Sequence, residues 1–160
     1  MRVLVLHGVN LNLFGRRDPA QYGTATLADI DAALATLGQE LGADVETFQS
    51  NHEGEFVERI HAAFADGADA VVVNAGAWTH SSHAIRDALE VLRGPVVEVL
   101  MSNVHAREPF RRVSVFADVV AGQISGFGVE SYRLGLRAAV ALAGRPPDGD
   151  RARGPAQRTS

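Results

Sequence analysis

Residues 1–23, MRVLVLHGVNLNLFGRRDPAQYG, carry an apolar run straight into a polar loop, and that junction decides the fold. Arg2 to His7 reads as a short buried strand. Asn10, Asn12, Arg16, Arg17, Asp18 and Tyr22 follow, punctuated by Gly8, Gly15, Pro19 and Gly23, so neither helix nor sheet is expected there. A loop of this length after a first strand exceeds the usual βα connection, and long loops in compact domains commonly carry function. A merely solvated surface loop is the competing reading.

Working outward, Thr26 precedes LADIDAALATLGQELG, in which Leu27, Ile30, Leu34, Leu37 and Leu41 share one face at helical spacing and Gly42 supplies the stop. A second strand is expected over Ala43 to Gln49. The next helix, Glu53 to Ala65, should bury Phe56, Ile60 and Phe64. Ala70 to Asn74, AVVVN, has the continuous apolar character of a strand covered on both faces. A helix over His80 to Leu92, strands over Pro95 to Met101 and Val119 to Ile124, and a helix over Val129 to Leu142 complete the chain.

Alternation of this kind calls for a parallel sheet with helices on both faces. With five strands the expected class is α/β, a flavodoxin-like three-layer sandwich of strand order 2-1-3-4-5. That order opens a crevice at the carboxyl ends of strands one and three. The loops delivered there, His7 to Tyr22 and Asn74 to His80, are the two most polar in the chain. One domain is expected over residues 1–143. The segment 144–160, rich in Gly, Pro and charge, is expected to be a disordered tail.

Composition narrows the function. The 160 residues are 46% hydrophobic and 21% charged, which is ordinary globular usage. A net charge of -4 and a pI near 5.8 leave no basic stripe for phosphates, so no nucleic acid partner is expected. There is no apolar run near the roughly 20 residues that span a bilayer and no signal-peptide pattern, so the expected location is cytoplasmic, with no membrane partner. Cysteine is absent, and all 15 basic residues are arginine. Thiolate chemistry, Schiff-base lysine chemistry and a phosphate-loop lysine are therefore excluded. Any cation in the site must be a guanidinium, which suits a bidentate grip on a carboxylate.

Several side chains then stand out. Tyr22 lies five residues after Arg17; a phenol, titrating near about 10, is ordinarily a poor base at neutral pH, but a guanidinium nearby favours the phenolate. That pairing makes Tyr22 a candidate general base, against the alternative of a half-buried packing tyrosine. Asn74 to Ser82, NAGAWTHSS, leaves the buried third strand through a glycine that permits close approach, which suits an oxygen-rich or anionic ligand at Asn74 and His80. Helix capping by Thr79 or Ser81 would explain the same residues. Asp87, seven residues after His80, either orients that imidazole or binds hydroxyls, or only solvates the surface. After the fourth strand, the backbone amides of Met101 and Ser102 can take a carboxylate and Arg111 a hydroxyl. Arg107, Arg111 and Arg112 also suit a subunit interface. The six histidines show no trusted ligand spacing, and no metal is expected.

The stretch HGVNLNLFGRRDPAQYG resembles the signature NGPNLNLLGxRxPxxYG of type II 3-dehydroquinate dehydratases. QSNHEGE (49–55), NAGAWTHSSHAIRDAL (74–89), EVLMSNVHAREPFR (98–111) and ISGFGVESY (124–132) resemble that family's successive motifs in order and spacing. The similarity covers about residues 2–142. It implies a flavodoxin-like enzyme that needs no metal or cofactor and assembles as a homododecamer built from trimers. The implied reaction is loss of water from 3-dehydroquinate to give 3-dehydroshikimate through an enolate, a shikimate-pathway step. Carried over by position, Tyr22 would be the base, Arg17 would favour its phenolate, and Asn10 would hold the water that stabilises the enolate. Asn74, His80, Asp87, Met101, Ser102 and Arg111 would bind the substrate.

The chain departs from that pattern in places that matter. Where the family has EVHISN, with a histidine regarded as the general acid, this chain has Leu100. Leucine has no proton to give, and losing a general acid typically costs on the order of a hundred- to ten-thousand-fold in rate. His7 stands for an asparagine, Val9 for a proline and Trp78 for a tyrosine. His7, acting through a water, is the candidate substitute acid. The same leucine motivates a second reading, a catalytically inactive paralogue that keeps the carboxylate pocket and the oligomer. A flavin or receiver domain, suggested by fold analogy alone, lacks the acidic cluster and phosphate cradle it would need.

Overall fold

In the computed structural model, which describes residues 1–146, the chain forms one five-stranded parallel sheet of order β2-β1-β3-β4-β5. The strands are β1 (Arg2–His7), β2 (Asp44–Gln49), β3 (Ala70–Asn74), β4 (Val96–Leu100) and β5 (Gly122–Ser125), and the helices are α1 (Pro19–Tyr22), α2 (Leu27–Leu41), α3 (Glu53–Asp66), α4 (His83–Glu90) and α5 (Val129–Ala143). The flavodoxin-like order expected from the alternation is the one observed. Of the expected tail, residues 147–160 lie outside the described residues.

The two-residue period of a strand sorts the core into two layers. Val3 and Val5 of β1 face Ile30, Leu34 and Leu37 of α2 and Tyr132, Leu136 and Ala139 of α5. Leu4 and Leu6 face the other way, onto Phe56, Ile60 and Ala63 of α3 and Ile85 and Leu89 of α4. All five residues of β3 are buried, which is why its sequence reads as unbroken apolar rather than alternating. Each valine so buried contributes roughly 1.5–3 kcal/mol.

Helix ends follow local chemistry. Thr26 accepts from the Asp29 N–H while Asp29 accepts from the Thr26 N–H, a reciprocal cap that starts α2. Gly42 ends it in the left-handed region at φ 70°.

Five expectations need correction. Phe64 is 39% exposed, and Ala63 takes its place inside. At about 100° per residue, position 63 returns to the face of Phe56 while position 64 lies about 80° off it. The fifth strand begins at Gly122 rather than Val119, because the Val119 and Val120 amides turn back onto the Phe116 carbonyl. The helix expected over His80 to Leu92 is a 3-10 turn over Gly76–His80 followed by α4. Ser82, not Thr79 or Ser81, caps α4 by accepting from the Ile85 N–H at 3.0 Å. Finally, the first loop is not free of helix: it holds a 3-10 turn over Leu11–Leu13 and the single turn α1.

Candidate active site

Three segments converge at the carboxyl ends of β1, β3 and β4 around a cavity of about 160 Å³. The first leaves β1 at Gly8. A Cβ there would stand 2.2 Å from the Ala75 carbonyl oxygen, so only glycine lets the ends of β1 and β3 touch. The Gly8 N–H uses that closeness to donate to the Asn74 carbonyl at 2.7 Å. Asn10 follows in the left-handed region at φ 67°, a conformation asparagine tolerates better than most residues. Its N–H donates to Asn51 Oδ1 at 2.8 Å. Leu11 and Phe14 are buried and pin the loop to the core.

The end of this segment is short but well specified. Asp18 accepts from the Ala20 N–H at 3.0 Å, Pro19 fills the first helical position, and Gly23 closes the turn at φ 71°. One turn is too little for a periodicity to register, which is why the sequence reads as loop. The turn presents Tyr22 against Phe14, ring centres 5.9 Å apart. The Arg17 guanidinium carbon lies 4.2 Å from the Tyr22 ring centre and that of Arg107 lies 5.3 Å away. Both guanidiniums are within cation–π range of the one phenol ring.

The second segment leaves β3 at Asn74. Gly76, at φ 62°, would put a Cβ 2.7 Å from the Val9 carbonyl oxygen, so the close packing of the two loops again requires glycine. Thr79 Oγ1 donates to the buried Glu98 carboxylate at 2.9 Å. Ser114 and Gln123 donate to the same carboxylate at 2.8 Å and 2.6 Å. Next to Thr79, His80 Nδ1 lies 2.8 Å from the Val113 carbonyl. A carbonyl only accepts, so Nδ1 carries hydrogen and Nε2 is left for the cavity.

The third segment follows β4. Leu100, Met101, Ser102, Val104, Arg107 and Arg111 line the cavity. Arg107 Nη1 donates to Ser102 Oγ at 3.0 Å, and its Nε is buried without a partner among the described residues. No backbone carbonyl among them takes the Met101 or Ser102 N–H. Arg111 stacks 4.6 Å from the Phe110 ring centre and pairs through Nε with Glu108. That hydrogen bond holds the Glu108 carboxyl below its usual range.

The lining therefore carries three arginines and a histidine and no carboxylate, a balance that selects an anion. Asn10, Arg17, Tyr22, Asn74, His80, Met101, Ser102 and Arg111 all border this one space. Asp87 does not. It sits exposed on α4, its carboxylate 2.9 Å from Arg86 Nη1, and the idea that it orients His80 fails because Val113 does so. His7 is no substitute acid either: it is fully buried, and both ring nitrogens are engaged by Tyr132 and Asp31. Arg107 is the group that reasoning from sequence passed over. It stands among three arginines spread over six residues, and no spacing marks one of them as turned toward Tyr22.

The sequence profile of the family described as Dehydroquinase class II matches residues 1–140. The 3-dehydroquinate dehydratase of Leptothrix cholodnii is 66% identical over 142 residues, covering 89% of this chain and 95% of that protein. Among solved structures, type II dehydroquinase from Butyrivibrio crossotus aligns with a TM-score of 0.85 at 38% identity, covering 87% of this chain and 97% of that one. The type II dehydroquinase from Propionibacterium acnes aligns with a TM-score of 0.84 at 44% identity, covering 88% and 96%.

Proposed function

The chain belongs to the class II dehydroquinase family, and on that premise we propose that it is a hydro-lyase converting 3-dehydroquinate to 3-dehydroshikimate with the residues named above. The observation that carries this reading is a phenol flanked by two guanidiniums at the edge of a cavity lined by cations and free of carboxylates. Tyr22, as phenolate, takes the proton next to the ketone. Arg17 and Arg107 stabilise that phenolate, and Asn10 holds the water that stabilises the enolate. The Met101 and Ser102 N–H groups take the substrate carboxylate, while Asn74, His80 and Arg111 take its hydroxyl and carboxyl oxygens. The leaving hydroxyl departs as water once it gains a proton.

Leu100 borders the cavity where the resembling pattern has its acid, so this last proton comes from solvent. The reaction then proceeds at a rate lowered on the order of a hundred- to ten-thousand-fold. Restoring the imidazole as Leu100→His should raise kcat, read as growth of the conjugated product's absorbance. The leucine also supports the second reading, an inactive paralogue that binds the same carboxylate. Substrate binding without turnover, unchanged by Leu100→His, would favour it.

The proposal extends to one catalytic domain over residues 1–143, a cytoplasmic location and a homododecamer of trimers. Exposed Phe110, Val113 and Phe127 supply apolar surface for such contacts. Asp87, outside its own chain's cavity, serves a site only by extending its carboxylate into another copy's cavity. Mixing Tyr22→Phe and Asp87→Ala subunits should then restore activity that neither homo-oligomer has. No recovery on mixing counts against that placement.

A further inference from the structure

Behind the cavity, four side chains from four elements form one unbroken chain of hydrogen bonds. Asp31 of α2 is at its outer end, Oδ1 2.8 Å from His7 Nε2. His7 Nδ1 is 2.7 Å from the Tyr132 hydroxyl, and Asn74 Nδ2 donates to that hydroxyl at 3.0 Å. Asn74 Oδ1 accepts from the Gly76 N–H at 3.2 Å. His7 and Tyr132 are 0% exposed and Asn74 is 3% exposed. The Asp31 side chain is 34% exposed, so the chain runs from near the surface, through the core, to the cavity floor.

The direction of every bond is fixed by which groups can only donate or only accept. An amide N–H only donates, so Gly76 turns Asn74 Oδ1 toward itself and Nδ2 toward Tyr132. The phenol oxygen, having accepted from Asn74, must place its own hydrogen. Burial keeps that phenol protonated by pushing its titration well up. Its other partner among the described residues is His7 Nδ1, which therefore accepts. The imidazole hydrogen is then on Nε2, facing a carboxylate that only accepts. Each link passes one hydrogen the same way: Asn74 to Tyr132, Tyr132 to His7, His7 to Asp31. Reversing one link would orphan a buried donor, at roughly 1–3 kcal/mol.

We propose that His7, acting through Tyr132 and anchored by Asp31, is a positioning residue that locks the Asn74 carboxamide in the orientation the ligand meets. One amide hydrogen and one Oδ1 lone pair of Asn74 remain for that ligand. The imidazole at position 7 is suited to this role because an asparagine there has no atom at the reach of Nε2 and leaves Asp31 without its contact. The inference rests on the reading of the cavity as a dehydroquinate site.

The test is a double-mutant cycle on kcat/KM for 3-dehydroquinate, combining His7→Phe with Asn74→Ala. His7→Phe should lower kcat/KM about tenfold in the parent, in line with one well-made hydrogen bond, and change it less than about twofold when Asn74 is already alanine. Asp31→Asn, at the solvent end, should reproduce the pattern at smaller size and replaces His7→Phe if that protein does not fold. Equal losses with and without Asn74 would mean a general packing role and overturn the proposal. If the parent shows no turnover at all, the reading of the site has failed, and the nitrogen resonances of His7 decide this inference separately. Hydrogen on Nε2 with Nδ1 as acceptor supports the relay, and hydrogen on Nδ1 overturns it.

Discussion

The floor of the cavity and its cover are held by different means. On the floor, Asn74 is tied by a hydrogen bond to a buried partner that continues into the core, as is the fully buried Thr79 next to His80, and His80 is tied to a backbone carbonyl. In the cover, Tyr22 sits on a single capped turn and Arg17 just ahead of its cap, and the contacts that gather them are faces of rings against guanidiniums. A floor fixed by directional bonds can present donors and acceptors to a ligand before it arrives. A cover held by stacking can adjust when the ligand does.

The largest expected effect lies in the cover. Tyr22→Phe removes the proposed base and should lower kcat on the order of a thousand- to ten-thousand-fold, with binding of 3-dehydroquinate by calorimetry changed far less. Equal losses in both would mean that the phenol binds rather than reacts. Leu100→His comes next, with a gain in kcat of about a hundredfold or more. No gain would mean that the surrounding groups do not present an imidazole there. Gly8→Ala addresses the floor alone. The new methyl meets the Ala75 carbonyl, and denaturant melts should show a loss of about 1–3 kcal/mol. A wild-type melt would break the claim that β1 and β3 must touch.

The smallest effect concerns carboxylates around the frame. Hydrogen bonds from Arg86 hold Asp118 below its usual range, as those from Thr26 do for Asp29. A carboxylate depressed in the folded state contributes stability that is complete above its unfolded value, near about 4, and is lost as pH falls through its folded value. Melting temperature should therefore drop on acidification, and Arg86→Met should make that drop shallower. Because both groups are exposed, the change is modest.

The floor was also the more legible half. AVVVN announces a strand buried on both faces, and Thr26 ahead of the stripe Leu27 to Leu41 announces a helix start, because each signal is local and repeated over several residues. The strand order, and with it the meeting of the loops after β1 and β3, follows from the alternation of strands and helices. The single turn Pro19–Tyr22 was illegible because four residues show no period. The partners of His7 lie 24 and 125 residues away, so no spacing could reveal that its nitrogens face inward. The idea that Asp87 orients His80 failed for a similar reason: its distance along the helix said nothing about the Val113 carbonyl that takes the imidazole. Phe64 was misplaced by one position in the helical wheel, where the smaller Ala63 was easy to overlook.

The central claim is that a phenol flanked by Arg17 and Arg107 removes a proton from 3-dehydroquinate although the acid opposite it is missing. The most direct measurement is turnover of 3-dehydroquinate by the parent, Tyr22→Phe and Leu100→His proteins side by side, followed through the absorbance of the conjugated product. The account predicts slow turnover by the parent, none measurable for Tyr22→Phe and a faster rate for Leu100→His. Turnover that survives Tyr22→Phe at the parent rate, or its absence in both the parent and Leu100→His, would contradict it.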